Sequence, residues 1–457
     1  MMVNTQPGKK AEAAGLPPTS MLAVAYEQRP WKRDGLAVPT SYYFDILAPD
    51  GRTLLSTVPN IMVIADIGNS EAKFAAWDRS STVLLTRGTP TTLEPLKSAI
   101  YTTSDAPTWK EMVYDDSRAE IFRREAGEGR RTEVPPQYSD EVYIGQNART
   151  SLVTGPTEAR FSQDEYLLFL RICIVDMLEA AGYYAERPDE VKNVGLCIGV
   201  RNEETAQGRG LKPEVKAALD DLIGPCTLIK TVGDRQMTRR FHVREYAHLP
   251  QSWGAIYALD TDMMGVSRLV EADAITGFDG GWYDIHQIEG TRVGNGMRVS
   301  GQKVTNGTEG FGGVFLARDL AVELRKPENF PLLGEMSESE AREALRTDTF
   351  KLGGKSLKGE DAKKARRLIE TFQETHGGKL IANLASRHPR LDSLFVWYGG
   401  LFITLHDQVV GKMTDLHRPA DLYLLLPYDD DIQLPKFANV IGLAGLFNLK
   451  NRHKAAR

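Results

Sequence analysis

Hydrophobic and polar positions follow two regimes along the chain. Ile61-Met62-Val63-Ile64-Ala65 is an unbroken apolar run that enters the turn residues Asp66-Ile67-Gly68-Asn69-Ser70 and leaves along a second strand pattern, Glu71 to Trp77. A short continuous apolar run bounded by turn residues predicts a strand buried on both faces. From Ser162 the period changes. Tyr166, Leu167, Phe169, Leu170, Ile172, Cys173, Val175, Met177 and Leu178 form a wide stripe at helical spacing. Val194–Val200 is again a buried-strand run, 212–223 reads as a helix, and 226–232 and 239–245 read as strands. Pro250-Gln251-Ser252 opens a second apolar helix ending near Leu259.

The second half starts over. A strand pattern at Ala272–Phe278 enters Asp279-Gly280-Gly281 and leaves along Trp282–Ile288. Gly281 lies 213 residues beyond Gly68 (281 − 68), and each opens a strand–turn–strand unit, the mark of an old duplication. Helices are expected over 310–325 and 361–387, then a strand at Leu394–Trp397 before Tyr398-Gly399-Gly400, a strand at Leu422–Leu426 and a last helix at Pro435–Leu449. The polar stretch from about 78 to 150, with the charged loop Glu125–Arg131 and Pro135-Pro136, reads as an inserted small subdomain. Residues 1 to about 40 read as a flexible or loosely docked arm, and Ser41–Leu55 as an extra hairpin.

Composition narrows the class. With 457 residues, 26% charged and 42% hydrophobic, the chain has the material for sizeable cores, which excludes wholesale disorder and a collagen-like chain. Lys+Arg is 56 against Asp+Glu 61, a net charge of −5. No global basic field exists, so strong direct nucleic-acid binding is not expected, and any DNA link runs through a local patch or a partner. Cys173, Cys197 and Cys226 sit 24 and 29 residues apart in or beside apolar runs, which matches no zinc or redox pair and reads as reduced core cysteine. The longest apolar stretches, such as Leu394–Leu405, are too short to span a bilayer, and Lys9 and Lys10 precede no apolar segment of a secretory signal, so no membrane is expected and the cytoplasm is.

The first turn carries the chemistry of a phosphate loop. Gly68 lets backbone approach an anion with no Cβ in the way, and Ser70 adds a hydroxyl. Asp66 at the strand end suits Mg²⁺, which takes carboxylate and water oxygens, and Lys73, seven residues on, supplies a point charge. The alternative is an ordinary hairpin turn that favours Asp and Asn for conformation. Gly280-Gly281, with Asp279 and Asp284 beside them, make a second such turn, and Gly399-Gly400 a third close-approach site where a flat base or ribose can lie over backbone. Gly353-Gly354-Lys355-Ser356 lacks the earlier glycine of a Walker A loop, since Thr349 stands there, and is read as incidental. The acidic run Asp429-Asp430-Asp431 and the basic tail Lys450, Arg452, Lys454 and Arg457 read as solvated, and His242 and His248 as structural.

In this order the motifs resemble the actin-like ATPases of plasmid segregation, the ParM/StbA group and its archaeal relatives. Asp66–Lys73 is similar to that family's first phosphate hairpin, Tyr143–Ala148 to its strand-Gly-x-x-Ala step and Val194–Val200 to the strand before its connecting region. Pro250–Leu259 is similar to its connecting helix, Val396–Gly400 to its adenosine turn, and Phe437-Ala438-Asn439 with Gly442 to its C-terminal helix. The resemblance covers about 61 to 449. It implies an α/β, actin-type (ribonuclease H-like) duplicated two-domain fold with nucleotide in the interdomain cleft. The expected division is an N-terminal extension over 1–60, domain I over 61–265 with the insertion at about 78–150, domain II over 266–405, and 406–457 returning to domain I.

The resemblance also implies roles. ATP, with GTP as the alternative, and Mg²⁺ are the expected ligands. Asp66, Gly68, Asn69, Ser70, Lys73, Gly280, Gly281, Gly399 and Gly400 would bind nucleotide, Asp66 and Asp279 would hold metal, and Gln251 and Asp279 would be catalytic, Gln251 by orienting the attacking water. The family's second phosphate motif, Asp-x-Gly-Gly-x-Thr-x-Asp, fits imperfectly. Counted back from Asp284, its first position falls on Gly277, and Trp282 stands at the threonine. Either Asp279 serves through a shortened turn, or hydrolysis is impaired. The function implied is a protein that polymerises with its own copies under ATP and hydrolyses it slowly in the monomer, moving plasmid or other DNA through a DNA-binding adaptor. A non-hydrolysing scaffold and a small-molecule kinase of the same superfamily are the rival readings.

Overall fold

A computed structural model describes residues 22–25, 61–68, 71–78, 83–98, 106–113, 137–148, 152, 160–201, 204–206, 210–260, 273–293, 296–306, 312–331, 336, 338–346, 351–352, 355–386, 393–415, 423–425, 439–440 and 442–444. Two sheets carry the chain. The first contains β1 (Leu22–Ala25), β2 (Ile61–Ile67), β3 (Glu71–Asp78), β4 (Val83–Pro90), β5 (Leu93–Pro95), β6 (Thr108–Val113), β7 (Gln137–Tyr138), β8 (Val142–Ile144), β9 (Lys192–Val200), β10 (Gly224–Val232) and β11 (Arg235–Pro250). Its order is β1-β4-β3-β2-β9-β11-β10-β6-β8-β5, with β7 beside β6. The second contains β12 (Ala274–Gly280), β13 (Asp284–Val293), β14 (Gly296–Asn306), β17 (Leu394–Tyr398) and β18 (Tyr423–Leu425), in the order β14-β13-β12-β17-β18. A separate hairpin pairs β15 (Lys351–Leu352) with β16 (Lys355–Ser356), and it is here that the Walker-like residues Lys355 and Ser356 fall.

One five-strand kernel recurs in both sheets. β4, β3 and β2 are antiparallel neighbours, after which β9 runs parallel to β2 and β11 parallel to β9. β14, β13 and β12 are antiparallel neighbours, after which β17 runs parallel to β12 and β18 parallel to β17. This is the duplicated actin-type α/β fold, and its two kernels correspond strand for strand. Ligands in open α/β sheets bind beyond the carboxyl ends of the parallel strands, which places the candidate site at the ends of β2, β9, β12 and β17.

The helices explain why these strands are buried. α1 (Asp164–Ala180) covers the first sheet; its apolar stripe shares one core with Val63, Phe74, Leu196 and Phe241. Asp164 and Glu165 occupy its first turn, where the helix dipole favours negative charge. It stops at Gly182, whose φ of 84° permits Tyr183 N–H to donate to Leu178 O at 3.0 Å, the six-to-one bond of a glycine-ended helix. α2 (Pro213–Asp220) follows β9, and α3 (Gly254–Asp260) follows β11 after a single 3₁₀ turn at Gln251–Trp253. The second sheet is covered on both faces. Phe278, Phe395 and Trp397 point to a core shared with α4 (Gly313–Leu324), α5 (Glu338–Arg346), α6 (Gly359–Phe372), α7 (Gly378–Ser386), α8 (Gly400–Thr404) and α9 (His406–Asp415). Phe278 stacks on Trp397 with centroids 4.2 Å apart. Ile275, Val396 and Tyr398 point the other way, onto Ala255 and Ile256 of α3, so the helix leaving the first sheet packs against the second.

Several expectations are refined. The long helix at 361–387 is interrupted by a π turn at Gln373–Gly377, where Gln373 Nε2 donates to Leu345 O at 3.0 Å. The described strands of about 78–150 make no sheet of their own: β4 pairs with β3, while β6, β8 and β5 continue the first sheet past β10. Within the N-terminal arm, Leu22–Ala25 pairs with β4 along the edge. β14 and the helices α5 and α9 had no clear apolar signal. The Ser41–Leu55 hairpin, the Glu125–Arg131 loop, Asp429–Asp431 and the basic tail lie outside the described residues, as does Pro435–Leu449 apart from helical residues at 439–440 and 442–444. All three cysteines are buried and free. Among the described residues, no helix is long and apolar enough to cross a membrane.

Gly254 is required by packing. A methyl there would be driven into the backbone of Asn439, whose Oδ1 accepts the neighbouring Ala255 N–H at 3.2 Å. Gly254→Ala is expected to cost about 1–3 kcal/mol as an overpacking substitution, read as a lower urea midpoint, whereas Gly400→Ala, with nothing within 4 Å of the added carbon, leaves it unchanged.

Candidate active site

The two glycine turns are built alike. Gly68 N–H donates to Glu71 O at 3.1 Å, and Gly281 N–H to Asp284 O at 2.9 Å. A Cβ on either would fall 2.8 Å or 2.7 Å from that same carbonyl oxygen, so glycine is needed at both. The register confirms the match, because Asp66 pairs with Lys73 across the first hairpin and Asp279 with His286 across the second. The duplication therefore sets Asp279 against Asp66, Gly281 against Gly68 and His286 against Lys73.

This corrects the count from Asp284. The seven-residue relation in the second turn runs from Asp279 to His286, not from Gly277 to Asp284, so no shortened turn is involved. Position 277 is closely packed. A Cβ there would lie 3.3 Å from Cε1 of Tyr398 and 3.4 Å from its hydroxyl, which donates to Ser252 O at 2.9 Å. Residues 277 and 279 share a strand face, and the aspartate is the one nearer the turn.

Gly68, Lys73, Gln251, Asp279 and Gly281 line one crevice between the halves, together with Arg201, Trp282, Tyr283, Asp284 and His286. Its open volume, including the solvent-facing mouth, is about 480 Å³. Asp66 lies behind Lys73, fully buried, with 3.8 Å between Lys73 Nζ and Asp66 Oδ2. Gly280 and Gly399 stand behind the lining. A Cβ on Gly399, whose φ is 90°, would fall 2.7 Å from both Asp279 Oδ1 and Gly280 O, so the third glycine turn is pressed against the second. Gly400 is exposed at the start of α8. Asn69 and Ser70 lie outside the described residues.

Three atoms at the crevice are buried without a hydrogen-bond partner: Oδ1 and Oδ2 of Asp66, and Oε1 of Gln251. Such groups are rare because each forfeits its hydration. The charges are uneven. Burial opposes the Lys73 charge, but Asp66, Asp279, Glu71 and Asp284 outweigh it and raise its pKa above the ordinary lysine value. Burial lifts Asp279 to about 6, against the pull of His286 and Lys73. Burial also opposes the Asp284 charge, yet His286, Arg201 and Lys73 bring its pKa down to about 2. His286 lies 3.2 Å from Asp284 through Nε2 and 2.5 Å from Ser252 Oγ through Nδ1.

Several contributors carried little sequence signal. Arg160 is fully buried in a bidentate pair with Glu204, Nε to Oε1 and Nη2 to Oε2, both 2.8 Å. Its Nη1 donates to Ile67 O and its Nη2 to Gly199 O at 3.4 Å, so one guanidinium ties the ends of β2 and β9 together. Thr91 Oγ1 donates to Gly68 O at 2.7 Å, which pins the turn from the other side. Nothing in the turn-rich sequence around Arg160 marks it or Glu204. Arg201 could be found as the first residue past Val194–Val200, and His286 by carrying the Asp66-to-Lys73 spacing onto Asp279. Asn439, known only from the C-terminal motif, donates through Nδ2 to Asp279 Oδ2 at 2.8 Å while its Oδ1 holds Ala255 N–H, so the returning chain joins the second turn to α3.

No family model matches the chain, and no curated protein matches it by sequence. Solved structures do match. An archaeal actin homolog, Ta0583, superposes with a TM-score of 0.52 at 14% identity over 85% of this chain and 99% of its own. Bacillus thuringiensis ParM with ATP gives 0.52 at 10% identity over 86% and 99%. A non-polymerisable quadruple mutant of pCBH ParM gives 0.51 at 11% identity over 85% and 98%. At these identities the likeness is one of fold.

Two outcomes are expected of the site's scaffold. Arg160→Met leaves the Glu204 charge buried and unpaired, a loss of about 3–5 kcal/mol in chemical denaturation that Arg160→Met/Glu204→Leu recovers in part. The pH outcome follows from Asp279. A carboxyl with its folded pKa raised from 3.8 to about 6 binds more protons folded than unfolded between those values, so its contribution to stability falls as pH rises from about 4 to about 6. In metal-free protein, the thermal midpoint of wild type minus that of Asp279→Asn should decline across this window.

Proposed function

We propose that the crevice binds ATP with Mg²⁺, that the chain hydrolyses it slowly, and that copies of the chain assemble into filaments whose lifetime follows the nucleotide state. The observation that carries this reading is the set of buried oxygens on Asp66 and Gln251 without a hydrogen-bond partner, placed where two equivalent glycine turns face one crevice. Asp66, Glu71, Asp279 and Asp284 surround Lys73, leaving more acid than base around the crevice. A polyphosphate enters such a site only with a divalent cation. Mg²⁺ takes one or two carboxylates and fills its remaining positions with phosphate and water oxygens, and Asp66 and Asp279 suit that donor set. When bound, it neutralises charge on the phosphates.

The chain's own residues do the rest. Lys73, fixed in register opposite Asp66, supplies positive charge to the phosphates. Gln251, on the turn between β11 and α3, presents Oε1 to orient a water; an amide cannot take its proton at neutral pH, so turnover in the monomer is slow. Asp279 assists in holding metal or water. Gly400, exposed at the start of α8 with Gly399 behind it, offers bare backbone for the nucleoside. The ATP assignment draws support from Bacillus thuringiensis ParM, whose structure contains ATP in this fold, and self-assembly from the pCBH ParM mutant described as non-polymerisable. Plasmid or other DNA segregation fits the ParM likeness, and the net charge of −5 favours a DNA-binding adaptor over direct DNA contact.

Sedimentation and phosphate release test the reading together. Wild type is expected to pellet with ATP and Mg²⁺, and Asp66→Ala to lose both nucleotide binding and pelleting. Gln251→Ala should retain ATP binding and pelleting while phosphate release slows about a hundredfold, the scale of a misplaced reactant. Tight ATP binding with no phosphate release from wild type would favour a non-hydrolysing scaffold, and ATP use that depends on an added sugar or acid a kinase. No ATP binding at millimolar nucleotide would overturn the reading.

A further inference from the structure

The crevice contains a second cation that neither the glycine-turn motifs nor the structural likenesses assign. Arg201 is the first residue past β9, a central strand of the first sheet. Its backbone N–H is held by Glu204 Oε2 at 2.9 Å, the same carboxylate that holds Arg160, so its starting point is fixed. It is buried and lines the crevice with Lys73 and Gln251 on its own side and Asp284 on the other.

The electrostatics around it are unlike those of Lys73. Lys73 is over-compensated by four acids. For Arg201, burial and the neighbouring Arg160 guanidinium lower the pKa to about 10, against the help of Glu204 and Asp284. It keeps its charge at neutral pH. Its fork of N–H donors matches the oxygens of a phosphate, and Asp284 attracts it from the opposite half.

We propose that Arg201 is a specificity residue that reads the terminal phosphate: with a triphosphate in the crevice its guanidinium binds the γ-phosphate oxygens in place of its attraction to Asp284, and with a diphosphate it stays under the influence of Asp284. This rests on the nucleotide reading above and adds to it a discrimination between ATP and ADP. Because Arg201 and Asp284 belong to opposite halves, the exchange also makes a cross-crevice attraction depend on nucleotide state.

Titration calorimetry with Mg·ATP and Mg·ADP on the full chain tests this, with wild type as reference and thermal melts to show that each variant is folded. Arg201→Gln is expected to weaken ATP about tenfold or more, the scale of a lost charge-assisted bond, and ADP by less than about threefold. Arg201→Lys should recover part of the ATP affinity, as a point charge without the fork. Asp284→Asn, which removes the competing carboxylate and leaves Arg201 in place, should raise the preference for ATP over ADP. Equal loss of both nucleotides, or of neither, in Arg201→Gln overturns the assignment while leaving the nucleotide reading intact; wild type that binds neither nucleotide overturns both. Should Arg201→Gln fail to fold, the Asp284→Asn ratio decides alone, and an unchanged or lowered preference counts against the proposal.

Discussion

Asp66 is a fully buried carboxylate that accepts no hydrogen bond among the described residues, near the end of a strand buried along its whole length. Isolated burial of such a charge is prohibitive. The fold tolerates it through Lys73, which the hairpin register sets directly opposite at 3.8 Å. That separation is longer than a direct hydrogen bond. The pair is therefore a balance of charge rather than a direct hydrogen bond, and much of the surrounding structure can be understood as holding it in place. Arg160 grips the carbonyl of Ile67, Thr91 the carbonyl of Gly68, and Glu204 neutralises Arg160 so that the clamp adds no net charge.

The duplication then repeats the device with different chemistry. In the second half the same register sets Asp279 opposite His286 instead of a lysine. Without a permanent cation across the hairpin, burial prevails and the carboxyl rises to about 6, whereas Asp284, facing His286, Arg201 and Lys73, falls to about 2. Two acids five residues apart thus differ in proton affinity by environment alone, one close to neutral pH and one permanently charged.

The halves are joined at the site as well as by the chain. Asn439 returns from the C-terminal region to bond Asp279 in one half and the start of α3 in the other. Tyr398 fills the space over Gly277 and bonds Ser252, while Ser252 meets His286. Movement of one half against the other therefore acts on the groups that line the crevice, a physical route by which occupancy and conformation can be coupled.

Much of this was legible in the order of residues. Buried central strands must be apolar without interruption, and turns that press backbone on backbone must use glycine, so Ile61–Ala65, Gly68, Gly281 and Gly399 announced themselves. The Asp66-to-Lys73 spacing is local, since a hairpin fixes its own register. The rest was decided by tertiary structure because it depends on groups brought from far along the chain. Arg160 and Glu204 lie 44 residues apart, and neither has a period or a motif. The strands β5 and β6 are short and take their stability from neighbours in the sheet, so their sequence reads as loop. Which residue of the second hairpin corresponds to Asp66 was ambiguous by counting, and follows from the strand register that pairs Asp279 with His286. Local sterics write themselves into sequence; the balance of buried charge does not, because it is a property of neighbours that only folding supplies.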